Sequence, residues 1–279
     1  MSGFTFFAPR PAVADIVETI WDIDLPDVLS ARAMTFKVLP AVSPTLCVHY
    51  RAAAGSNQRV NPGNCRQRVT GVQTGAITVR PTGPIGATIV HLKPEAACRF
   101  MRGQMDEFTD ANVGLSDLFS ATEVALLEEM LAETTNAAER AKCVQDFLVC
   151  RLCSRAPDAV VHQAVVELRR TPNISVQRVA SRFEISERQL SRRFHAMVGT
   201  SPKQFARVAR FGNVLAARRS GCGWAEIAHA CGFTDQAHMI HDFQCMAGQS
   251  PDALFRAGAQ HPDLNISLST SGFHNTLVT

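Results

Sequence analysis

Through about residue 110, the apolar positions come in short runs: MTFKVL (34–39), TLCVHY (45–50), AITVR (76–80) and ATIVHL (87–92). Pro, Gly and Asn separate them, which predicts strands of a sheet or barrel. The stretch RAAAGSNQRVNPGNCRQR predicts a polar loop, and Pro94 opens a predicted short helix, PEAACRFMR. From residue 120 the period changes to that of a helix. Ser120 with Glu123, ahead of VALLEEML, is a capping-box pattern. Asn136 with Glu139, ahead of a run to Cys153, is a looser version. SRAPD (154–158) breaks the helical pattern and predicts a domain boundary. After it come AVVHQAVVELRR and a chain of short helices to about Ala259, then twenty residues without a period. The expected organisation is a mostly-β domain over 1–155 with helices at 119–153, a helical domain over 158–260, and a loose tail over 261–279.

The helical third repeats itself. RVASRFEISERQLSRRFHAMVGTSP (178–202) aligns with EIAHACGFTDQAHMIHDFQCMAGQSP (226–251). Val179-Ala180 recurs 48 residues later as Ile227-Ala228, and one extra residue then shifts the offset to 49. At that offset Leu190, Phe194, Met197 and Gly199 match Met239, Phe243, Met246 and Gly248. In each copy a short helix and a turn lead, through a Ser or Thr cap, to a second helix that stops at Gly. Two short helices joined in this way make a helix-turn-helix, whose second helix enters the DNA major groove. Between the copies, Ser201-Pro202 starts the helix KQFARVARFGNVLAARRS, which stops at Gly221-Cys222-Gly223. Eighteen residues at ~1.5 Å each make a rod of about 27 Å, a plausible spacer for readers of successive grooves about 34 Å apart.

Charge supports this placement. The net charge of +3 conceals 13 Lys/Arg against 8 Asp/Glu between 158 and 260, while residues 1–157 hold 15 against 16. A local positive excess suits a polyanion. With Phe194 turned inward, the outward face of the first reading helix carries Arg188, Gln189, Arg192 and His195. Arginine on guanine and glutamine on adenine are the usual major-groove pairings. Ser191 lies on the flank, Arg193 suits a phosphate, and Glu187 sits in the first turn. Arg207, Arg210, Arg218 and Arg219 on the rod are further phosphate candidates, against the plainer alternative of a solvated helix face.

Residues 160–258 resemble the DNA-binding domain of the AraC/XylS family of bacterial transcription regulators. SPKQFARVARF, and GFTDQAHMIHDF followed by AGQSP, carry the likeness. The N-terminal part, with LKPEAACRFMR and DEFTDANVGLSDLF, is similar to a degenerate cupin-like sensor domain of one branch. The implied protein is an α+β, non-enzymatic regulator without a cofactor, binding double-stranded promoter DNA. RNA polymerase, a small-molecule effector and a second copy in a homodimer are its expected partners, and no membrane is.

The second reading helix departs from the family pattern. Its outward face carries Ala237, His238, His241, Gln244 and Cys245, with His241 where the family commonly has arginine. The first copy is therefore expected to supply most base-specific binding and the second mainly to position. His238, His241 and Cys245 share a face that could suggest a metal, yet the register sets them opposite Gln189, Arg192 and Ala196, on the groove side. A contact from His241 to DNA would strengthen binding as pH falls through the imidazole range. Cys231, opposite Phe183, is expected to pack.

No His-x-His pair of a metal-dependent cupin accompanies His49 and His91, so both are read as residues packed within the sheet. Cys47, Cys65 and Cys98 read as core or loop thiols, and Cys143, Cys150 and Cys153 as thiols of one helix. Nine scattered cysteines, without a leader pattern, fit reduced thiols in a cytosol. There is no glycine-rich phosphate loop, nucleophile elbow or HExxH. Two rival readings are a metal- or thiol-responsive regulator and a cupin-like enzyme fused to a DNA-binding domain.

Overall fold

The structure is a computed structural model that describes residues 4–26, 36–51, 67–79, 83–154 and 158–260. The expected loose tail, Cys65 and most of the expected polar loop lie outside these residues. Among the described residues there are eight strands: β1 (Phe4–Phe7), β2 (Val17–Leu25), β3 (Phe36–Val38), β4 (Thr45–His49), β5 (Gln67–Thr70), β6 (Ile77–Val79), β7 (Ile85–Leu92) and β8 (Asn112–Gly114). They form an antiparallel six-stranded sheet, β1-β2-β7-β4-β5-β8, and a two-stranded sheet, β3-β6.

The apolar runs mark β3, β4, β6 and β7, whereas β2 is absent from that pattern because Glu18, Asp22 and Asp24 interrupt it. Asp22 is nevertheless 2% exposed, since Arg140 reaches it from a helix through Nε (3.0 Å) and Nη2 (2.6 Å). Thr88 and Tyr50 also donate to its carboxylate, so the buried charge is fully partnered. The Pro94 segment is a turn with a 3-10 helix at Ala97–Arg99, not a helix across PEAACRFMR. Its residues Ala97 and Phe100 bury completely instead.

Two helices close this half. In α1 (Ala121–Glu133), Ser120 and Glu123 form the reciprocal capping box. In α2 (Ala137–Val149), Asn136 caps Ala138 N, but Glu139 does not return the bond. The helix stops at Val149, short of the expected Cys153, whose N–H donates to Arg99 O (2.8 Å). Of the three cysteines read as one helix, only Cys143 lies within α2; Cys150 is its exposed C-cap. Phe100, Phe119 and Phe147 pack ring to ring at 5.2–6.2 Å between the helices and the sheet.

The remaining helices are α3 (Ala159–Arg170), α4 (Val176–Ser181), α5 (Glu187–Val198), α6 (Pro202–Arg219), α7 (Trp224–Ala230), α8 (Gln236–Ala247) and α9 (Pro251–Gln260). Asp158, the last residue of the expected boundary, caps α3 by accepting from Val160 and Val161. The rod α6 has the expected eighteen residues of length but starts one position earlier, at Pro202, and leaves Ser220 as its C-cap. No helix among the described residues is long and apolar enough to cross a membrane.

Candidate nucleic-acid interface

The pairs α4/α5 and α7/α8 are the two helix-turn-helix units, built on matching cores. Leu190, Phe194 and Met197 bury one face of α5, and Met239, Phe243 and Met246 the same face of α8. Phe194 meets Phe205, and Phe211 meets Phe243, at 5.2 and 4.7 Å, so the first turn and the middle of α6 each plug into a unit. Each aromatic pair adds about 1 kcal/mol to the burial of its rings. Cys231 packs against this core, and burial pushes its thiol up.

The caps refine the repeat. Ser186 caps α5, but Asp235 rather than Thr234 caps α8, by accepting from His238 N (2.7 Å). Asp235 is the residue that the 49-residue offset pairs with Ser186. Gln189 is partly committed locally: its Oε1 accepts from Ser186 N (2.8 Å) and Ser186 Oγ (2.9 Å), closing a capping box.

Opposite the core, Arg188, Gln189, Arg192 and His195 are exposed on α5, with Ser191 half-buried at the flank. On α8 Ala237, His238, His241, Gln244 and Cys245 are exposed, as is Gln236 in its first turn. His238 Nδ1 lies 3.4 Å from Thr234 Oγ1, and His241 Nε2 3.8 Å from Cys245 Sγ. No three His, Cys, Asp or Glu residues among the described ones are placed to hold a metal.

The expected phosphate contacts stand differently. Arg193 donates through Nε (2.7 Å) and Nη2 (2.5 Å) to Asp158, and this bonding holds the carboxyl below the usual range. Arg207 Nε (2.7 Å) and Arg210 Nη2 (3.3 Å) donate to Asp242 on α8. Arg210 also stacks on Phe233 at 4.3 Å, and Arg218 on Trp224 at 4.5 Å. Burial lowers Arg219 from the usual guanidinium range. These arginines are thus engaged within the protein, and Asp158 and Asp242 are site residues that sequence reasoning passed over. The signal was available: opposite charges stand 35 residues apart in both copies.

The N-terminal half holds α5 and α8 at matching ends. Thr109 Oγ1 donates to Gly199 O (2.8 Å), and Cys98 Sγ lies 3.8 Å from Met197 Sδ. In the second unit Ala76 N donates to Met246 O (2.9 Å). Arg169 on α3 adds an ion pair to Glu18 and a 3.0 Å bond to Ser43 Oγ.

Two exposed polar faces on matched helices, spaced by one rod and held by a β-rich domain, define a DNA-binding transcription regulator. Residues 179–257, spanning both units, match a family described as a helix-turn-helix domain, and residues 5–114 match a domain of unknown function, DUF6597. The C-terminal third of the chain thus carries a helix-turn-helix domain of the AraC type. Among solved structures the chain is similar to an apo variant of ToxT from Vibrio cholerae, at 10% identity and a TM-score of 0.46, over 92% of this chain and 98% of that one. ToxT bound to an unsaturated fatty acid is similar at 12% identity and a TM-score of 0.42, over 90% of this chain and 95% of that one. The DNA-binding domain of AdpA in complex with a target DNA matches at 26% identity and a TM-score of 0.35, over 38% of this chain and 98% of that one. No protein of curated function matches the sequence.

Proposed function

We propose that α5 and α8 enter two adjacent major-groove segments of double-stranded promoter DNA, with α6 as the spacer. The observation that carries this is the repeat-matched pair of exposed faces, Arg188, Gln189, Arg192 and His195 against Ala237, His238, His241 and Gln244. Arg188 and Arg192 are the guanine readers, and the second unit, without an arginine on its outward face, chiefly fixes position. Arg193, Arg207, Arg210, Arg218 and Arg219 contribute to the positive field around the helices, and reach phosphate only where their internal partners let go.

Residues 1–155 form the controlling domain, 158–260 the reader. Contacts at Gly199 and Met246 tie the spacing of α5 and α8 to the sheet domain. A small-molecule effector, a second copy or RNA polymerase acting on that domain shifts the reader by preferring one of its arrangements. No catalytic step is part of this function. Footprinting on a selected operator tests it: two protected groove segments one helical turn apart are expected, with log affinity falling linearly in log salt. A single protected segment, unchanged by deleting the α8 face residues, defeats the two-reader arrangement.

A further inference from the structure

One sheet face carries chemistry that DNA reading does not use. Strand pairing sets Phe6, Trp21, Ile89, Cys47 and Arg68 side by side across β1, β2, β7, β4 and β5. They share the face opposite Asp22, since neighbouring residues on a strand alternate. Phe6, at the edge strand, is 54% exposed and meets Trp21 edge-on at 5.1 Å. Trp21 and Ile89 are half-buried, and Cys47 is only 6% exposed. An apolar strip thus leads inward from an open edge to a thiol, with a guanidinium on the thiol's far side.

His49, on the same face of β4, sits between the two. Its Nε2 lies 3.3 Å from Cys47 Sγ and 3.2 Å from Arg68 Nη1. Its other nitrogen, Nδ1, and Trp21 Nε1 are both buried without a hydrogen-bond partner. Native proteins seldom leave such atoms unpaired, because the loss is about 1–3 kcal/mol each. Burial pushes the Cys47 thiol up, but His49 and Arg68 outweigh it and bring the group down to about 6. His91, one row away beside Thr45, is kept neutral by burial, which pushes it down to about 4.

We propose that Cys47 is a covalent acceptor for α,β-unsaturated carbonyl compounds, the enones and quinones. The thiol proton passes to His49 Nε2, leaving a thiolate beside an imidazolium. Once protonated, Nε2 no longer accepts from Arg68, whose guanidinium becomes available to the carbonyl oxygen of the incoming compound. The thiolate pair forms a C–S bond at the β-carbon. The C=C π pair shifts toward the carbonyl as an enolate, and the α-carbon takes a proton from the imidazolium or water. The product is a thioether, with nothing oxidised or reduced. The strip of Phe6, Trp21 and Ile89 favours such a carbon electrophile over a hydroperoxide, which has no apolar body to lay on it.

Peptide mass mapping of the full-length protein, treated briefly with limiting N-ethylmaleimide at acidic to alkaline pH, decides the matter. On the acid side of neutrality Cys47 is expected to take the label ahead of the exposed Cys150 and Cys245. Arg68→Gln and His49→Gln should slow labelling at acid pH by roughly tenfold for each unit the thiol rises, with the gap closing at alkaline pH. Labelling of Cys150 or Cys245 with Cys47 untouched overturns the proposal. So does an Arg68→Gln protein that keeps wild-type circular dichroism and labels at the wild-type rate at every pH. The readout is independent of operator binding, so either conclusion can fail without the other.

Discussion

Arg207 and Asp242, joined between α6 and α8, repeat the Asp158–Arg193 pair with the charges exchanged. Each residue stands 49 positions after its counterpart, Asp158 before Arg207 and Arg193 before Asp242. In both units the bond runs from the second helix of the unit back to the N-terminal part of the preceding long helix, so the two contacts share a geometry with their polarity reversed. Its consequence is electrostatic: the first reading helix carries the cation and the second the anion.

Exchange of the second pair tests that equivalence. Arg207→Asp sets two carboxylates together, and Asp242→Arg sets a third guanidinium beside Arg207 and Arg210; both should destabilise the protein. The double variant should recover most of the loss, giving a coupling of about 1 kcal/mol in urea unfolding. Strictly additive effects would show that the bond holds nothing in place.

Arg192 and His241 occupy matched outward positions, and Arg192→Ala should weaken operator binding by about 1–3 kcal/mol, well beyond His241→Ala. Equal losses in a binding titration would mean that the two units share base reading evenly.

The capping role of Gln189 can be separated from its proposed contact with DNA. Gln189→Glu keeps a side chain able to close the capping box with Ser186, so thermal stability should hold. Operator affinity should fall, because a carboxylate repels phosphate and cannot donate to adenine. Unchanged affinity would reduce Gln189 to a cap.

Gly199 and Gly248 end the two reading helices at φ values of +87° and +67°. A Cβ at Gly199 would collide with the Met105 carbonyl, whereas the nearest atom at Gly248 is Lys37 Nζ at 3.9 Å. Both alanine variants carry a backbone strain of about 1–2 kcal/mol. Gly199→Ala should therefore lower the midpoint of unfolding further, and the difference measures the contact between sheet domain and reader. Equal midpoints would remove that contact from the account.

Asp158 gives a pH test. Arg193 lowers its carboxyl in the folded state, so this stabilisation is complete above the unfolded Asp range, near about 3.9, and is lost as pH falls toward the lowered value. Asp158→Asn keeps a helix cap but not the charge. The variant should be less stable at neutral pH and converge on wild type in acid; parallel curves would contradict the ion pair.

The sequence alone determined the double helix-turn-helix, because period, caps and register are local properties that one chain can repeat and display. It also determined which faces of α5 and α8 point outward, since Phe194 and Phe243 can only be buried. Four of the eight strands among the described residues escaped it. β2 hides a core aspartate whose charge is tolerable only because Arg140, 118 residues away, closes on it. The tertiary structure alone decided that the rod's arginines face carboxylates and aromatic rings, that Gly199 and Met246 touch the sheet domain, and that Cys47 stands between His49 and Arg68. Those facts depend on distances between residues far apart in sequence, and Coulomb and packing energies act on distance rather than on order along the chain.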